Sequence, residues 1–433
     1  MKKRLGGSNM LIMFKAKNYT SFKDEAILDL RAASYKQHMS HLLDSSDGTK
    51  LLKTTAIYGA NASGKSNFIS AMFFFESYIF EQFITKKDNE EYDFSGRDLE
   101  TELEPFQLSE NVNDASEFDI IFSYNNKKIQ YGFECTAKEV LNEWYYIDDK
   151  KVFERNKEEI SYSKFYGKYL KSYTKVPKER LYLSVLEYFL EEDVKEIVMN
   201  DFMNFFFKEY DVFLEVFFES TVKSIAGLVR LNERLVGDTD FRKKVEQYLN
   251  QIDVGIKGLD IQVKTIVDEK TGKEKEKKIV KTVHDVYDDF GNVANQKFFE
   301  LHQESTGTLR FLSYIQEVIG MTERGGVFIV DEISARLHPL LTKLIVDIFQ
   351  SSSNKKAQLI FTTHDISLLN KEQFRRDEVV FVDKNIRGES SVYSLSDLKV
   401  RDDATFNKDY LQGKYGAIPI FNYDEILGSD SIE

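Results

Sequence analysis

The sequence of 433 residues contains a single cysteine, Cys135, and only four prolines. One cysteine excludes a disulfide framework within the chain and favours a reducing compartment, so we expect a cytoplasmic protein. Long apolar runs are also missing. The apolar stretch NMLIMF at 9–14 is too short for a signal-peptide core or a membrane span. We therefore expect no membrane partner.

An excess of positive charge is likewise absent, since the formal net charge is −13 and the pI is near 5.2. A chain of this charge does not bind a phosphate backbone through its overall electrostatics, so DNA contact would need a local basic patch or a partner. The stretch KTGKEKEKK at 270–278 is the candidate patch. It is either a solvated loop at a hairpin tip or a basic contact with nucleic acid, such as DNA, or with a partner.

Phenylalanine and tyrosine are abundant, with 35 and 23 copies, so aromatic side chains are expected to build much of the core. The length suggests two or three compact units. Period-2 alternation over 116–163 predicts an antiparallel meander, and helical periodicity dominates 178–253. A hairpin is predicted at 256–289, around the charged tip.

Strands and helices alternate in the last part of the chain, which predicts an α/β unit with a parallel sheet. Predicted strands lie at 54–58, 327–331, 357–363 and 378–383. Predicted helices lie at 67–84, from 304 onward, at 338–350, and between the last two strands. Residues 85–114 are polar and are predicted to form a loop.

The stretch GANASGKS at 59–66 fits the phosphate-loop pattern G-x-x-x-x-G-K-[ST] without a gap, between a strand and a helix. Backbone N–H groups of such a loop point at phosphate oxygens, and glycines permit the close approach. Lys65 is predicted to reach the β- and γ-phosphates of ATP, and Ser66 to bind Mg²⁺. The residues predicted to bind the nucleotide are Gly59, Ala60, Asn61, Ala62, Ser63, Gly64, Lys65, Ser66 and Asn67.

A strand of buried type, VFIVD, ends in the neighbouring carboxylates Asp331 and Glu332. The carboxyl ends of parallel strands are where open α/β sheets bind ligands. Two adjacent carboxylates repel each other unless a cation or a substrate compensates. We therefore predict that Asp331 holds Mg²⁺ and that Glu332 orients or polarises the attacking water. The structural alternative is a helix N-cap followed by an acid in the first turn.

His364 follows the next predicted strand, AQLIFTT. From that position it could contact a γ-phosphate or the lytic water, or it could be an ordinary loop histidine. Beside the phosphate loop and the acidic strand end we favour the functional role, which makes Glu332 and His364 the predicted catalytic pair. His338 is either functional or structural, and the structural role would place it at a helix start where Pro339 suits the first helical position.

The stretch ESTGT at 304–308 places small hydroxyl residues and a glycine before an apolar-periodic run. Serine and threonine are preferred at helix N-caps, so a simple cap is one explanation. The positive end of the helix dipole at the same place would also favour an anion, which is the second explanation.

The order of these motifs resembles the ABC-type ATPase head, which SMC, RecF and their relatives share. The resemblance implies an α/β P-loop NTPase of ABC-ATPase head type with an antiparallel β-subdomain and a helical insert. Residues 10–163 would form the half of the head with the phosphate loop and the β-subdomain. Residues 164–255 would form the insert, and residues 256–433 the half with the signature, the Walker B acid and the switch histidine.

In heads of this type the S-x-G loop serves the nucleotide of a second subunit. By this resemblance Ser305 and Gly307 would complete a partner's site, and ATP would hold together a homodimer or a higher homo-oligomer. Ser334 and Ala335 resemble the D-loop at the dimer seam. Gln107, in EPFQLSE, is the candidate Q-loop glutamine that touches Mg²⁺, and its alternative is an ordinary strand residue.

Finer features resemble the stand-alone bacterial ATPases of the abortive-infection and phage-defence group, which includes AbiLi, RloA and AriA. The core motifs are GANASGKSN, ESTGTLRFL, DEISARLHP and TTHDISLL, and YLQGKYGAIP at 410–419 points to this branch. The sequence departs from the group at one position, because Ser334 follows Ile333 where many members have an acidic residue.

This resemblance implies an antiphage role in which the ATPase acts as a sensor or scaffold for an effector protein, often a Toprim-type nuclease. The chain itself has no nuclease signature, since it has no H-N-H cluster, no Toprim acidic set and no metal-spaced Cys/His group. The acidic tail at 422–433 is expected to be a solvated end.

Two other functional classes remain open. A DNA-repair or DNA-tethering ATPase of RecF or SMC kind is disfavoured by the acidic charge and by the lack of sustained heptads, and salt-dependent DNA binding would support it. A non-hydrolysing assembly module, with ATP as structural glue, is disfavoured by the intact Glu332.

Overall fold

The computed structural model describes residues 9–45, 47–82, 103–110, 114–213, 225–252, 255–267, 274–401 and 404–419. Its strands are β1 (Met10–Lys17), β2 (Ala26–Asp29), β3 (Leu42–Asp44), β4 (Lys50–Leu52), β5 (Thr54–Tyr58), β6 (Ser116–Tyr124), β7 (Lys127–Cys135), β8 (Val140–Ile147), β9 (Lys150–Asn156), β10 (Glu159–Tyr162), β11 (Tyr210–Phe213), β12 (Ile256–Val267), β13 (Glu274–Tyr287), β14 (Val293–Glu300), β15 (Gly326–Val330), β16 (Ala357–Thr362), β17 (Val379–Lys384) and β18 (Ser390–Ser394). Its α-helices are α1 (Lys65–Glu81), α2 (Gly167–Leu170), α3 (Tyr182–Phe189), α4 (Glu192–Val198), α5 (Asn200–Glu209), α6 (Ile225–Gly237), α7 (Thr239–Ile252), α8 (Thr306–Arg324), α9 (Pro339–Gln350) and α10 (Phe406–Leu411).

A six-stranded sheet in the order β11-β15-β16-β5-β17-β18 forms the centre of the molecule. Its first five strands are parallel, which confirms the predicted parallel sheet, and β18 pairs antiparallel with β17 at one edge. Strand β16 lies between β5 and β15, so the carboxyl ends of these three strands are neighbours. The chain continues from those ends into Gly59, Asp331 and Thr363.

The three central strands are buried on both faces, which explains their near-continuous apolar sequences. Alternate side chains enter two different cores, as the period of a strand requires. Ile57 and Ile329 face the core that contains α1, whereas Ala56 and Phe328 face the core that contains α8 and α9. The phosphate loop therefore starts from a strand that is fixed on both sides.

A seven-stranded antiparallel sheet, in the order β10-β9-β8-β7-β6-β1-β2, covers the other side of α1. Its strands β6 to β10 confirm the predicted meander at 116–163. The helix predicted at 67–84 runs from Lys65 to Glu81 and begins inside the phosphate-loop motif. Aromatic rings fill the contact, with Phe14 edge-on to Phe68 at a centroid distance of 5.9 Å.

Phe75 lies at the centre of this aromatic contact, fully buried and stacked on Phe133 at 5.5 Å. We expect Phe75→Ala to lower the free energy of unfolding by about 3–5 kcal/mol, the range for large aromatic truncations in cores. Urea denaturation followed by circular dichroism would measure the loss. The control Ile386→Ala removes a fully exposed apolar side chain and should change stability by less than about 0.5 kcal/mol. Equal effects for the two variants would contradict the packing of α1 between the sheets.

The described residues of 164–252 are mainly helical, as predicted, with one strand among them. Residues Tyr210–Phe213 form β11 and pair with Val327–Val330 as an edge of the central sheet. The helix α3 is tied to the antiparallel sheet, because Glu143 accepts hydrogen bonds from the backbone N–H groups of Tyr182 and Leu183 at 2.5 and 2.9 Å. The three-part division of the chain stays a prediction.

The predicted hairpin at 256–289 is part of a larger unit, the three-stranded sheet β12-β13-β14. The third strand was not predicted because VANQKFFE shows no clear alternation, and six of its eight residues are exposed. The side chains of the charged tip at 270–277 lie outside the described residues, so the prediction of a DNA contact there stays untested.

The helix predicted between the strands at 357–363 and 378–383 is wrong. Residues 364–375 form turns, and Arg376–Glu378 form a single 3₁₀ turn. Side chains stabilise the turns, since Asp365 Oδ1 accepts from Ser367 N at 2.9 Å and Asn370 Oδ1 accepts from Gln373 N at 2.8 Å. Such local side-chain bonds compete with helical backbone bonds.

Of the predicted loop at 85–114, residues 103–110 and 114 are described and contain no helix or strand. The acidic tail at 422–433 lies outside the described residues. Within the described ranges, no helix is long and apolar enough to cross a membrane.

Candidate nucleotide-binding site

The phosphate loop follows a path that only its glycines permit. A Cβ on Gly59 would lie 2.4 Å from Val382 O, and a Cβ on Gly64 would lie 2.6 Å from Ser390 Oγ. Gly64 also has a φ of 112°, and Ala62 has a φ of 60°, so the loop turns through the left-handed region twice. The motif therefore forms a tight cradle of backbone N–H groups, the kind of site that binds phosphate.

Two serines outside the motif support this cradle. Ser390 Oγ donates to Ser63 O at 2.6 Å and lies 2.8 Å from Ser21 Oγ. Asn67 Nδ2 in turn donates to Ser21 Oγ at 2.8 Å. Ser21 and Ser390 were not predicted from the sequence, because neither lies near the loop in the chain.

Lys65 lies buried at the base of the loop, where its Nζ donates to Gly59 O and Ala60 O at 3.0 Å each. Burial lowers the pKa of Lys65, and the nearby carboxylates of Glu332 and Asp331 act in the opposite direction. A buried cation hydrogen-bonded to carbonyl groups is well suited to an anionic ligand, with which it can form a charge-assisted hydrogen bond.

Ser66 and Asp331, two of the three residues predicted to contact Mg²⁺, are brought together. Ser66 Oγ donates to Asp331 Oδ1 at 3.1 Å, and Thr362 Oγ1 donates to the same oxygen at 2.7 Å. Burial raises the pKa of Asp331, although these two hydroxyl donors act to lower it. Mg²⁺ bound with a nucleotide keeps several water and phosphate ligands, so one hydroxyl and one carboxylate fit its needs.

Glu332 adopts a left-handed backbone conformation with a φ of 52°, which is unusual for a residue with a side chain. Its N–H donates to Thr362 Oγ1 at 2.7 Å, and its Oε1 lies 3.1 Å from His364 Nε2. The predicted catalytic pair is therefore in direct contact. Thr362 links the Asp331 carboxylate to the backbone N–H of Glu332. It was missed, because a threonine inside a β-strand is ordinary.

The two neighbouring carboxyl groups differ in their electrostatics. Burial acts to raise the pKa of Glu332, but the hydrogen bond and charge of His364, with Lys65 and Arg310, outweigh it and hold this pKa below its usual value. The pKa of Asp331 is displaced in the opposite direction. Neighbouring acids with diverging pKa values are typical of functional sites.

Ser305 and Gly307 lie at the start of α8, and neither contacts the phosphate loop in the described structure. Ser305 is exposed and caps the helix, since its Oγ accepts from Thr308 N at 3.1 Å. A Cβ on Gly307 would lie 3.2 Å from Arg336 O, so this glycine packs on the turn that follows Glu332. The cap explanation is thus observed, and the proposed contact with a second subunit stays a prediction.

The structure places the remaining candidates from loops, Ser334, His338 and Gln107, in different surroundings. Ser334 Oγ lies 2.8 Å from Thr363 Oγ1, beside the site. His338 caps α9 by accepting from Leu340 N, with Pro339 at the first helical position, as predicted. Gln107 is exposed, and its amide donates to Pro105 O at 2.9 Å rather than to a residue of the site, so its role as Q-loop glutamine stays a prediction.

The C-terminal motif at 410–419 is a packing element. Tyr410 and Tyr415 lie against Phe381 at centroid distances of 5.4 and 5.7 Å, and Tyr410 also contacts Tyr58 of β5 at 6.2 Å. The motif therefore supports the strand from which the phosphate loop starts, and Gly416 permits its turn at a φ of 72°.

A phosphate loop after one strand, with the acidic strand end two strands away, defines a P-loop NTPase. A family model described as "AAA domain, putative AbiEii toxin, Type IV TA system" matches residues 54–187 and 226–370. These ranges make up more than half of the chain, and the chain belongs to this family. No curated protein matches the sequence.

Several solved structures are similar to the chain. One is the SMC head bound to the C-winged helix domain of ScpA, with 13% identity, coverage of 89% of this chain and 97% of that one, and a TM-score of 0.47. The SMC head domain from Thermotoga maritima has 12% identity, coverage of 90% and 99%, and a TM-score of 0.39. The SMC head with an extended coiled coil bound to the C-terminal domain of ScpA from Pyrococcus furiosus has 11% identity, coverage of 94% and 99%, and a TM-score of 0.40.

The chain has the α/β fold of a P-loop NTPase, with an antiparallel sheet and an added helical region, which confirms this part of the predicted fold class. The finer assignment to the ABC-ATPase head type stays a prediction. Proteins of the P-loop class generally use ATP with Mg²⁺.

Proposed function

We propose that this chain binds ATP·Mg²⁺ and hydrolyses ATP. The observation that carries the proposal is the meeting of two pairs at the carboxyl ends of β15 and β16, Ser66 with Asp331 and Glu332 with His364. The first pair would hold Mg²⁺, and Lys65 would neutralise phosphate charge. Bound Mg²⁺ would supply further charge stabilisation on the phosphates.

Glu332, His364 and Thr362 would have separate roles in hydrolysis. Glu332 is ionised at neutral pH, because its pKa lies below the usual value, and it would accept a proton from the attacking water. His364 would orient the carboxylate through the contact at 3.1 Å. Thr362 would fix the backbone N–H of Glu332 and the side chain of Asp331 at the same time.

We further propose that two subunits close head to tail over two nucleotides. Ser305 is exposed at the positive end of α8, a helix of 19 residues, where its hydroxyl and the N–H of Gly307 could reach a γ-phosphate held by another subunit. The test is the mass in solution by light scattering, with and without ATP·Mg²⁺. A dimer or larger assembly that forms only with nucleotide supports the proposal, and a monomer with bound nucleotide contradicts it.

Thr362→Val provides a test of the hydrolytic site. Loss of a hydroxyl that bonds a carboxylate and a backbone N–H should lower kcat by roughly 10- to 100-fold, as for other bonds to charged groups. Steady-state phosphate release measures the change, and Thr342→Val is the matched control. Thr342 is buried, and among the described residues its hydroxyl has no hydrogen-bond partner. Equal kcat in the two variants would remove Thr362 from the mechanism.

At the level of the cell we propose a sensor or scaffold component of a bacterial antiphage system of abortive-infection type, resembling AbiLi, RloA and AriA. The partner would be an effector, for which we propose a Toprim-type nuclease. The family description, with its toxin and toxin–antitoxin terms, and the motif at 410–419 support this proposal.

Phage plating on bacteria that carry the gene with its immediate neighbour tests the cellular role. Protection that is lost in Lys65→Ala supports it, and equal plating with and without the wild-type pair contradicts it. The alternative, a DNA-tethering or repair ATPase, predicts salt-dependent binding of DNA by the purified protein instead.

A further inference from the structure

Arg310 is a fully buried cation on α8, between Ser305 at the start of that helix and Glu332 after β15. It heads the fully buried side chains of the described structure by volume. Burying a guanidinium is costly unless it is paired and hydrogen-bonded, so its position calls for a specific role. It lies five residues after Ser305, a little more than one helical turn along the same helix.

The guanidinium reaches the catalytic residue through the backbone. Arg310 Nη2 donates to Glu332 O at 3.2 Å and to Tyr314 Oη at 2.6 Å, and the guanidinium lies 5.2 Å from the centre of the Tyr314 ring. Tyr314, one turn further along α8, therefore steers the side chain toward Glu332. Together with the Thr362 hydroxyl on the N–H, this contact fixes Glu332 from both sides of its peptide backbone.

Helix α8 contacts the turn after Glu332 at a second point. Gly307 packs against Arg336 O, and the turn between these contacts is closed by the bond from Ala335 N to Glu332 O at 2.9 Å. Arg336 also has a positive φ, of 61°, so both ends of the turn adopt the left-handed conformation. A shift of α8 relative to the sheet would therefore be transmitted to Glu332.

We propose that Arg310 is a positioning residue for hydrolysis. From its place on α8 it stabilises the left-handed conformation of Glu332 in the same subunit. The inference rests on the proposed ATPase function. It implies that when Ser305 contacts the nucleotide of a second subunit, the contact affects the position of Glu332 in the subunit that carries Ser305. The effect would pass through α8 and Arg310. The two sites of a dimer would then be linked through a single helix.

The test compares Arg310→Met, Arg310→Lys and Tyr314→Phe in the full-length chain. Removing the charge-assisted bond in Arg310→Met should lower kcat by roughly 10- to 100-fold, whereas Tyr314→Phe, which removes one neutral partner, should lower it about 2- to 10-fold. Arg310→Lys keeps the charge without the fork geometry and should retain more activity than Arg310→Met. ATP affinity, measured by titration calorimetry, should stay within about twofold in all three variants. The substitutions alter the position of Glu332 in the hydrolysis step and leave the groups that bind ATP unchanged.

The control is Thr322→Val, on the same helix, where the hydroxyl donates to carbonyl groups of its own helix, Val318 O at 2.8 Å and Ile319 O at 3.1 Å. Its kcat and ATP affinity should match those of the wild type. Wild-type kcat in Tyr314→Phe and Arg310→Lys would overturn the inference, and so would a loss of ATP affinity that equals the loss of kcat. If the wild type itself binds ATP without hydrolysing it, the proposed function fails first, independently of Arg310.

Discussion

Glu332→Gln is expected to slow ATP hydrolysis by a factor on the order of 10²–10⁴, the usual contribution of a positioned general base. Glutamine has the shape of glutamate but cannot accept the proton from water. It can keep a contact with His364, and the Ser66–Asp331 pair is untouched, so ATP binding should persist. The ATP-bound dimer should therefore accumulate, and light scattering should detect it at lower protein concentration than for the wild type.

The matched control is Glu323→Gln, which makes the same change on the exposed surface of α8, where Glu323 pairs with Lys244. Its hydrolysis should equal that of the wild type, because exposed ion pairs contribute little. If Glu332→Gln hydrolyses ATP as fast as Glu323→Gln, then Glu332 is not the base. If it stays monomeric with ATP bound, then hydrolysis does not limit the lifetime of a dimer.

Ser305→Asp is expected to abolish ATP-dependent dimerisation and hydrolysis, while Ser305→Asn retains both in part. Aspartate and asparagine are both good helix N-caps, so α8 should fold in either variant. They differ in charge, and only aspartate repels the γ-phosphate of a second subunit. The comparison thus separates the capping role, which the structure contains, from the proposed contact in trans.

Mixing two inactive variants gives the sharpest form of this test. Lys65→Ala inactivates a subunit's own phosphate loop, whereas Ser305→Asp removes a residue from the site of its partner. In an equal mixture half of the dimers are mixed, and each of these has one site with all its residues, so activity should return to at most about a quarter of the wild-type value.

Lys65→Ala mixed with Glu332→Gln is the control, because both changes affect the same half-site. No mixed dimer then has an intact site, and activity should not return. Recovery in the control mixture, or none in the Ser305→Asp mixture, would exclude a composite site.

The local motifs of the site were predictable from the sequence, because each is contiguous and has its own chemistry. The spacing of Gly59, Gly64 and Lys65 requires one backbone path, and the structure has that path. The carboxylates at the end of a buried strand and the histidine after the next strand were predictable for a related reason. Parallel neighbouring strands bring their carboxyl ends to one edge.

The partners of these motifs were not predictable, because they come from distant parts of the chain. Thr362 is one of many strand threonines until β16 pairs with β15 and places its hydroxyl between Asp331 and Glu332. Arg310 resembles any arginine of an amphipathic helix until α8 packs on the turn after Glu332.

The secondary-structure predictions divide in the same way, into those that depend on local sequence and those that depend on contacts with distant residues. Apolar runs predicted the central strands and helix α1, and period-2 alternation predicted the meander at 116–163. Sequence pattern failed where the stability comes from strand pairing or from side-chain hydrogen bonds, in the edge strand β11 and in the turns at 364–375.

The sequence by itself therefore determined the class of fold, the phosphate loop and the identity of the two carboxylates, since these depend on short-range pattern and covalent spacing. Only the tertiary structure decided which groups hold the carboxylates, that Glu332 turns into the left-handed region, and that α8 contacts it. Those features depend on hydrogen bonds between residues far apart in the chain, which form only when the sheet and α8 have packed together.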